Sequence, residues 1–351
     1  MRTILSQMLQ TLRLRTYKTF LCKTFLTALA VAGFTLSAPQ AQAKCDDVSI
    51  ANMNWASASM LAYLDAFILT HGFDCTVNIV PGDTVPTVTS MVEKGEPDIA
   101  PEFWTNSYRD LVARGVSEGR IVVTGESLSD GGNEGFWVPR YMLTENPQLA
   151  TIEGVRASVE LFPNKENPGK GAFIGCPSGW ACQQVSLNLA KAFGLIEAGY
   201  EVIDPGSAAG LDGSLARAYE RGDPWLGYYW EPTSMLGKYD MVQVDFGVTH
   251  DPVAWEDCIG RPDCINPQPN NFAKSDVIIL ATVRLKDMAP EVTEYLSRRQ
   301  ITNKVLQAML VWSDENQADG EEAAMAFLAQ NEDLWTSWLD SATAAKVRAA
   351  L

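Results

Sequence analysis

Histidine is nearly missing from this chain: His71 and His250 are the only two among 351 residues, and they stand far apart. Two isolated imidazoles make a hydrolytic triad hard to assemble, and Gly125 opens G-E-S-L-S rather than a G-x-S-x-G elbow. Neither a Walker-type phosphate loop nor a G-x-G-x-x-G turn occurs. Zinc spacing is lacking too, because no two cysteines stand two to four residues apart. The acidic stretch 314–322 has Asp319 where a calcium loop needs glycine, so it reads as a solvated helix connection. Basic residues are scarce, 27 Lys+Arg against 43 Asp+Glu, and form no stripe. That balance disfavours nucleic acid and anionic membrane as partners. No metal or cofactor is expected, and no enzyme.

What is present divides in two. In the first 43 residues Arg2, Arg13, Arg15, Lys18 and Lys23 precede an apolar run over 25–36, and Ala41-Gln42-Ala43 offers a small-x-small cleavage site. This is the pattern of a secretory signal peptide cleaved after Ala43. The run is short of the ~20 residues that a membrane span needs, which weighs against an uncleaved anchor. Losing the leader takes the net charge from −16 to about −21, since 22 basic residues then face 43 acidic ones. Lys44 stands where lipid attachment to Cys45 would need a small residue, so no lipid is expected.

Six cysteines remain beyond the leader: Cys45, Cys75, Cys176, Cys182, Cys258 and Cys264. An even number in an exported chain argues for disulfides, although six cysteines allow 15 pairings. The local candidates are Cys176–Cys182 and Cys258–Cys264, which leave Cys45 with Cys75.

Beyond residue 44, strands and helices alternate, the order of an α/β fold with mixed, mostly parallel sheets. The pattern predicts strands over 48–54, 75–80, 98–103 and 120–124, with helices over 56–69, 84–94 and 107–113 between them. Residues 135–139 read as a strand that leaves this unit. Short helices follow over 141–146 and 152–161, then strands over 172–176, 200–203, 225–230 and 241–244, with helices over 181–193 and 211–220. Residues 251–271 read as an irregular loop and 276–283 as a return strand. Helices over 290–296, 304–314, 320–330 and 332–350 end the chain. Two lobes joined by two crossings fit this order, and ligands of such sheets sit beyond the carboxyl ends of strands.

Tryptophan placement carries the chemistry. Four of the ten stand where strands hand over to loops: Trp55 in MNWAS, Trp104 in PEFWTNSY, Trp180 in GCPSGWAC and Trp230 in GYYWEPT. Trp137 lies near the proposed crossing, and the other five read as packing residues. Taken singly each of the four is an ordinary core residue. Jointly at cleft-facing ends they suit a quaternary ammonium, which donates no hydrogen bonds and is held by the negative faces of aromatic rings. Each face contributes ~0.5–2 kcal/mol when desolvated. Three or four are a substantial share of the roughly 8 kcal/mol of micromolar binding. If residue 181 opens a helix, the free N–H groups of Ala181 and Cys182 form a cradle for a carboxylate, unless a side chain such as Ser178 caps them.

In order and spacing nearly all of 48–351 resembles the glycine betaine/proline betaine-binding proteins of ABC importers, with GCPSGWAC, LGYYWEP and PEFWTN carrying the likeness. The resemblance implies a three-ring box of Trp180, Trp230 and Trp104, a disulfide between Cys176 and Cys182, and a ligand carboxylate on the backbone of Ala181 and Cys182. The family's Y-Y-x-W-x-P has a residue before its tryptophan that is missing here, where Tyr229 directly precedes Trp230. Related choline binders also carry a tryptophan matching Trp55, which implies a fourth ring. The fold implied is the two-lobed type II periplasmic-binding-protein fold, with lobe one over 44–137 and 276–351, lobe two over 138–275, and a hinge. The expected protein is a periplasmic monomer that delivers its solute to a permease and ATPase. Choline, carnitine or ectoine as ligand, an exported enzyme and a chemosensory partner are the rival readings. Glu102 and Glu231 flank two of the rings, and Tyr108, Tyr141 and Tyr228 are candidate wall residues. Asp83 and Asp212 read as helix caps.

Overall fold

Strand β1 (Asp47–Met53) runs parallel to β2 (Thr76–Gly82) and to β3 (Ile99–Trp104), in a computed structural model that describes residues 45–106 and 108–351. The predicted leader and its cleavage site lie outside those residues. Parallel neighbours need a crossover, and the helices Ala56–Gly72 and Thr84–Lys94 supply it. A second parallel set joins β5 (Gly171–Ile174) to β6 (Tyr200–Ile203) and β7 (Gly227–Glu231), with crossovers Cys182–Ala192 and Ala208–Arg221.

Two antiparallel strands tie the sets together. β4 (Ile121–Pro139) pairs with β9 (Ser275–Thr282) from Ile121 to Gly132, and with β7 from Asn133 to Trp137. β9 also pairs with β3, and β8 (Met241–Gln243) pairs with the end of β4. The path is therefore β2-β1-β3-β9-β4-β7-β5-β6, with β8 beside it. We call the part up to the start of β4 the first half-sheet and the part from its end the second.

The sequence pattern predicts two strands where β4 is one strand of 19 residues. Its middle, TGESLSDGGNEG, has the composition of a loop. The glycines and small polar residues serve instead as bulges: the pairing with β9 shifts register between Val123 and Gly125, Glu126 and Leu128, and Leu128 and Gly132. Bulges bend and twist a strand without ending it.

Helices cover both faces. Ala56–Gly72 packs its buried Met60, Leu61, Leu64 and Ile68 with Phe327, Leu328, Trp335 and Val347 of the C-terminal helices. Beneath them Arg299 is wholly buried. It pairs with Asp65 at 3.0 Å and donates to the carbonyl of Pro101 at 2.6 Å, which fixes the return helices to the first half-sheet. The single helix predicted over 332–350 is two, Glu332–Thr336 and Ser341–Ala350. Asp340 breaks it by accepting from the backbone N–H groups of Ala342 and Thr343. Asp83 caps Thr84–Lys94, but Asp212 caps nothing. It lies inside Ala208–Arg221, whose cap is Ser207, and its carboxylate accepts from the Tyr229 hydroxyl at 2.5 Å.

The cysteines pair as Cys45–Cys75, Cys176–Cys182 and Cys258–Cys264. The last lies in the segment read as an irregular loop, which contains a helical turn, Pro252–Ala254, and a π-turn, Trp255–Ile259. Among the described residues no helix is long and apolar enough to cross a membrane.

Candidate functional site

The carboxyl ends of the strands converge on one cavity. β1 ends at Met53, and Trp55 follows as the residue capping Ala56–Gly72. β3 ends on Trp104. From the second half-sheet, the loop after β5 delivers Trp180, and β7 carries Trp230. These four indoles, with Thr84, Glu134, Ala181, Cys182 and Tyr228, line a narrow, half-open cavity of ≈ 30 Å³. All six residues read from the sequence as ligand contacts face it.

The rings meet at steep angles. Trp180 stands edge-on to Trp55 (centroids 5.3 Å apart, planes at 72°) and to Trp230 (5.1 Å, 82°). Trp230 is backed by Tyr229, stacked at 4.9 Å. Trp104 lies over Gly132 at the point where β4 changes partner, and a Cβ there would fall 1.9 Å from its ring. Only glycine permits that approach.

Three of the four indole N–H groups, those of Trp55, Trp104 and Trp180, are tied into the protein, which turns their ring faces to the cavity. One oxygen of Glu102 accepts from Trp55 Nε1 (2.8 Å), Trp104 Nε1 (2.9 Å) and Ser57 Oγ (3.0 Å). Glu102 is fully buried, and desolvation raises its pKa while the indole and hydroxyl donors and Arg299 pull it back. Trp180 Nε1 donates to Asn54 Oδ1 at 2.5 Å, a bond from the second half-sheet to the first. A second such bond runs from Val85 N to the carbonyl of Gly179 at 3.3 Å. Gly179 has φ +91°, and a Cβ would also meet Asp83 Oδ2 at 2.7 Å, so the loop needs glycine for conformation and for space.

Behind Trp180 the helix Cys182–Ala192 opens with Ala181 at its cap and no side chain on its first amides. Ser178 is engaged elsewhere, bonding Asp204 at 2.5 Å and Gln183 Nε2 at 2.8 Å. The helix start thus presents donors and the positive end of its dipole to the cavity. The Cys176–Cys182 disulfide closes the loop that carries Trp180.

Glu102 therefore bonds the rings from behind. Glu231 does not line the cavity and accepts from Asn133 Nδ2 at 3.1 Å. Tyr228 is a wall residue. Tyr108 lines a separate surface hollow with Trp255 and Arg261, and Tyr141 bonds the carbonyls of Ala218 and Asp223. Sequence reasoning missed Glu134 and Thr84. Glu134 sits in the glycine-rich stretch between the two predicted strands, for which the sequence pattern assigns no element, so only the continuity of β4 marks it as buried. Among the described residues no group of three or more His, Cys, Asp or Glu is placed to hold a metal.

Two half-sheets joined through two antiparallel strands, with a cavity at their facing strand ends, define a two-lobed periplasmic-binding-protein fold. Residues 46–330 match the substrate-binding domain of ABC-type glycine betaine transport systems, and the chain belongs to that family. It is a family of solute binders rather than enzymes, serving ABC transporters. Solved structures agree in fold. The glycine betaine/L-proline-binding protein ProX of Borrelia burgdorferi superposes with TM-score 0.65 at 16% identity, covering 86% of this chain and 99% of its own. An ABC-transporter choline-binding protein in complex with choline gives 0.65 at 19%, covering 87% and 97%. Lactococcal OpuAC, closed on glycine betaine, gives 0.61 at 15%, covering 84% and 100%.

Proposed function

We propose that this chain captures glycine betaine or proline betaine between its lobes, for osmoprotectant uptake, and hands the solute to the permease and ATPase of an ABC importer. The observation that carries the reading is the convergence of four indoles, two from each half-sheet, on one cavity beside an uncapped helix start. The methylated ammonium lies against the faces of Trp55, Trp104, Trp180 and Trp230. Its carboxylate accepts from the backbone of Ala181 and Cys182. Lobe one comprises 44–137 and 276–351, lobe two 138–275, and closure over the ligand is the state the permease reads. The protein acts as a periplasmic monomer after cleavage of its leader behind Ala43.

Titration calorimetry of the mature chain tests this. Glycine betaine or proline betaine is expected to bind saturably at micromolar or tighter affinity. A chain that gives neither heat nor thermal shift with any methylated amine refutes the reading.

A further inference from the structure

The cavity wall contains one carboxylate, and its surroundings set it apart from the other buried acids. Asp65 meets Arg299 at 3.0 Å, Asp98 meets Arg284 at 2.6 Å, and Glu102 lies in the field of Arg299. Glu134 is 6% exposed and has two neutral partners, the Tyr228 hydroxyl on Oε1 (2.9 Å) and Asn106 Nδ2 on Oε2 (3.0 Å). No lysine or arginine lines the cavity. A buried carboxylate without a countercharge is costly, and desolvation duly raises its pKa. Each oxygen has spent one acceptor position on these bonds and keeps another free. Glu134 pairs with Trp230 across β4 and β7, and both residues line the cavity.

We propose that Glu134 is a direct ligand contact whose counter-ion is the quaternary ammonium of the bound solute, and that it weights selection among methylated amines toward net cations. The inference rests on the reading of the cavity as a quaternary-ammonium site. A cationic amino alcohol such as choline gains the full attraction of the carboxylate and can donate its hydroxyl to the free acceptor position. A zwitterion gains at its ammonium and loses at its own carboxylate, so the same residue favours it less.

The test is calorimetry of wild type and Glu134→Gln with choline and with glycine betaine, beside Trp180→Ala as a control on the ring cage. In Glu134→Gln the choline affinity is expected to fall at least tenfold and the betaine affinity less, so that the choline-to-betaine ratio drops at least threefold. An unchanged ratio, or choline affinity within twofold of wild type, overturns the proposal. If Trp180→Ala still weakens binding about thirtyfold or more in that case, the quaternary-ammonium reading stands without Glu134. Wild type binding neither amine removes both. Should Glu134→Gln fail to fold, Glu134→Asp replaces it, keeping the charge but drawing it back from the ligand. A threefold or greater loss for choline supports the contact, and no loss overturns it.

Discussion

The two half-sheets bring equal numbers of indoles to the cavity but hold them by different means. Trp55 and Trp104 share one buried carboxylate oxygen, so a single ionisable group sets both rings of the first half-sheet. Trp180 and Trp230 have no such common partner. The first rides on a disulfide-closed loop and bonds to Asn54 across the cleft, and the second is stacked on Tyr229. One pair is thus fixed by electrostatics within its own half, the other by covalent closure and packing, with two bonds from the Trp180 loop to the first half-sheet. Rings positioned before the ligand arrives lower the ordering cost of binding.

Perturbing each support in turn separates them. The largest loss is expected from Trp180→Ala, which removes a ring in contact with both Trp55 and Trp230. Betaine affinity should fall about thirtyfold or more, roughly 2 kcal/mol, with little change in the melting temperature of the ligand-free protein. If the variant instead unfolds while its folded fraction binds normally, the ring is core. Glu102→Gln comes next, because the amide keeps the shape but loses the charge that holds two indole N–H groups. A five- to tenfold drop is expected, and it should not add fully to that of Trp104→Ala in a double-mutant cycle. Full additivity would mean that Glu102 does not act through that ring. The paired Cys176→Ser and Cys182→Ser substitution should cost about two- to fivefold by loosening the Trp180 loop, and it should leave the effect of Glu102→Gln unchanged.

The smallest expected effect concerns stability rather than binding. Burial pushes the Asp212 carboxyl up to about 6, so the folded state holds a proton that the unfolded chain gives up near pH 4. Stability is therefore lost as pH rises from about 4 to 6, and the penalty persists above. Asp212→Asn should raise the melting temperature by about 2–6 °C at pH 7.5 and change it little at pH 4. A gain of equal size at both values would exclude the titration as its cause.

The comparison of the half-sheets also explains what the sequence disclosed. Trp55, Trp104, Trp180 and Trp230 were legible because each sits beside a motif boundary, where an apolar run gives way to turn residues. The alternation of strands and helices was legible for the same reason. β4 was not, since its glycines and serines have the composition of a loop and only long-range pairing with β9 makes them a strand. Glu134 was hidden with it. The role of Glu102 was also hidden: PEFW shows an acid beside a tryptophan, but not that Trp55, 47 residues earlier, points its N–H at the same oxygen. Asp212 misled because an aspartate early in a helix suggests a cap, whereas Ser207 had already taken that position.

Trp104 rests on Gly132, where β4 passes from its pairing with β9 to its pairing with β7. A ribbon bends as a spring bends, with its curvature concentrated where side chains are smallest. Any flexing of the two halves at that glycine must lift or press the indole lying on it. If the proposed lobes hinge there, cleft opening and displacement of one cage wall are a single mechanical act.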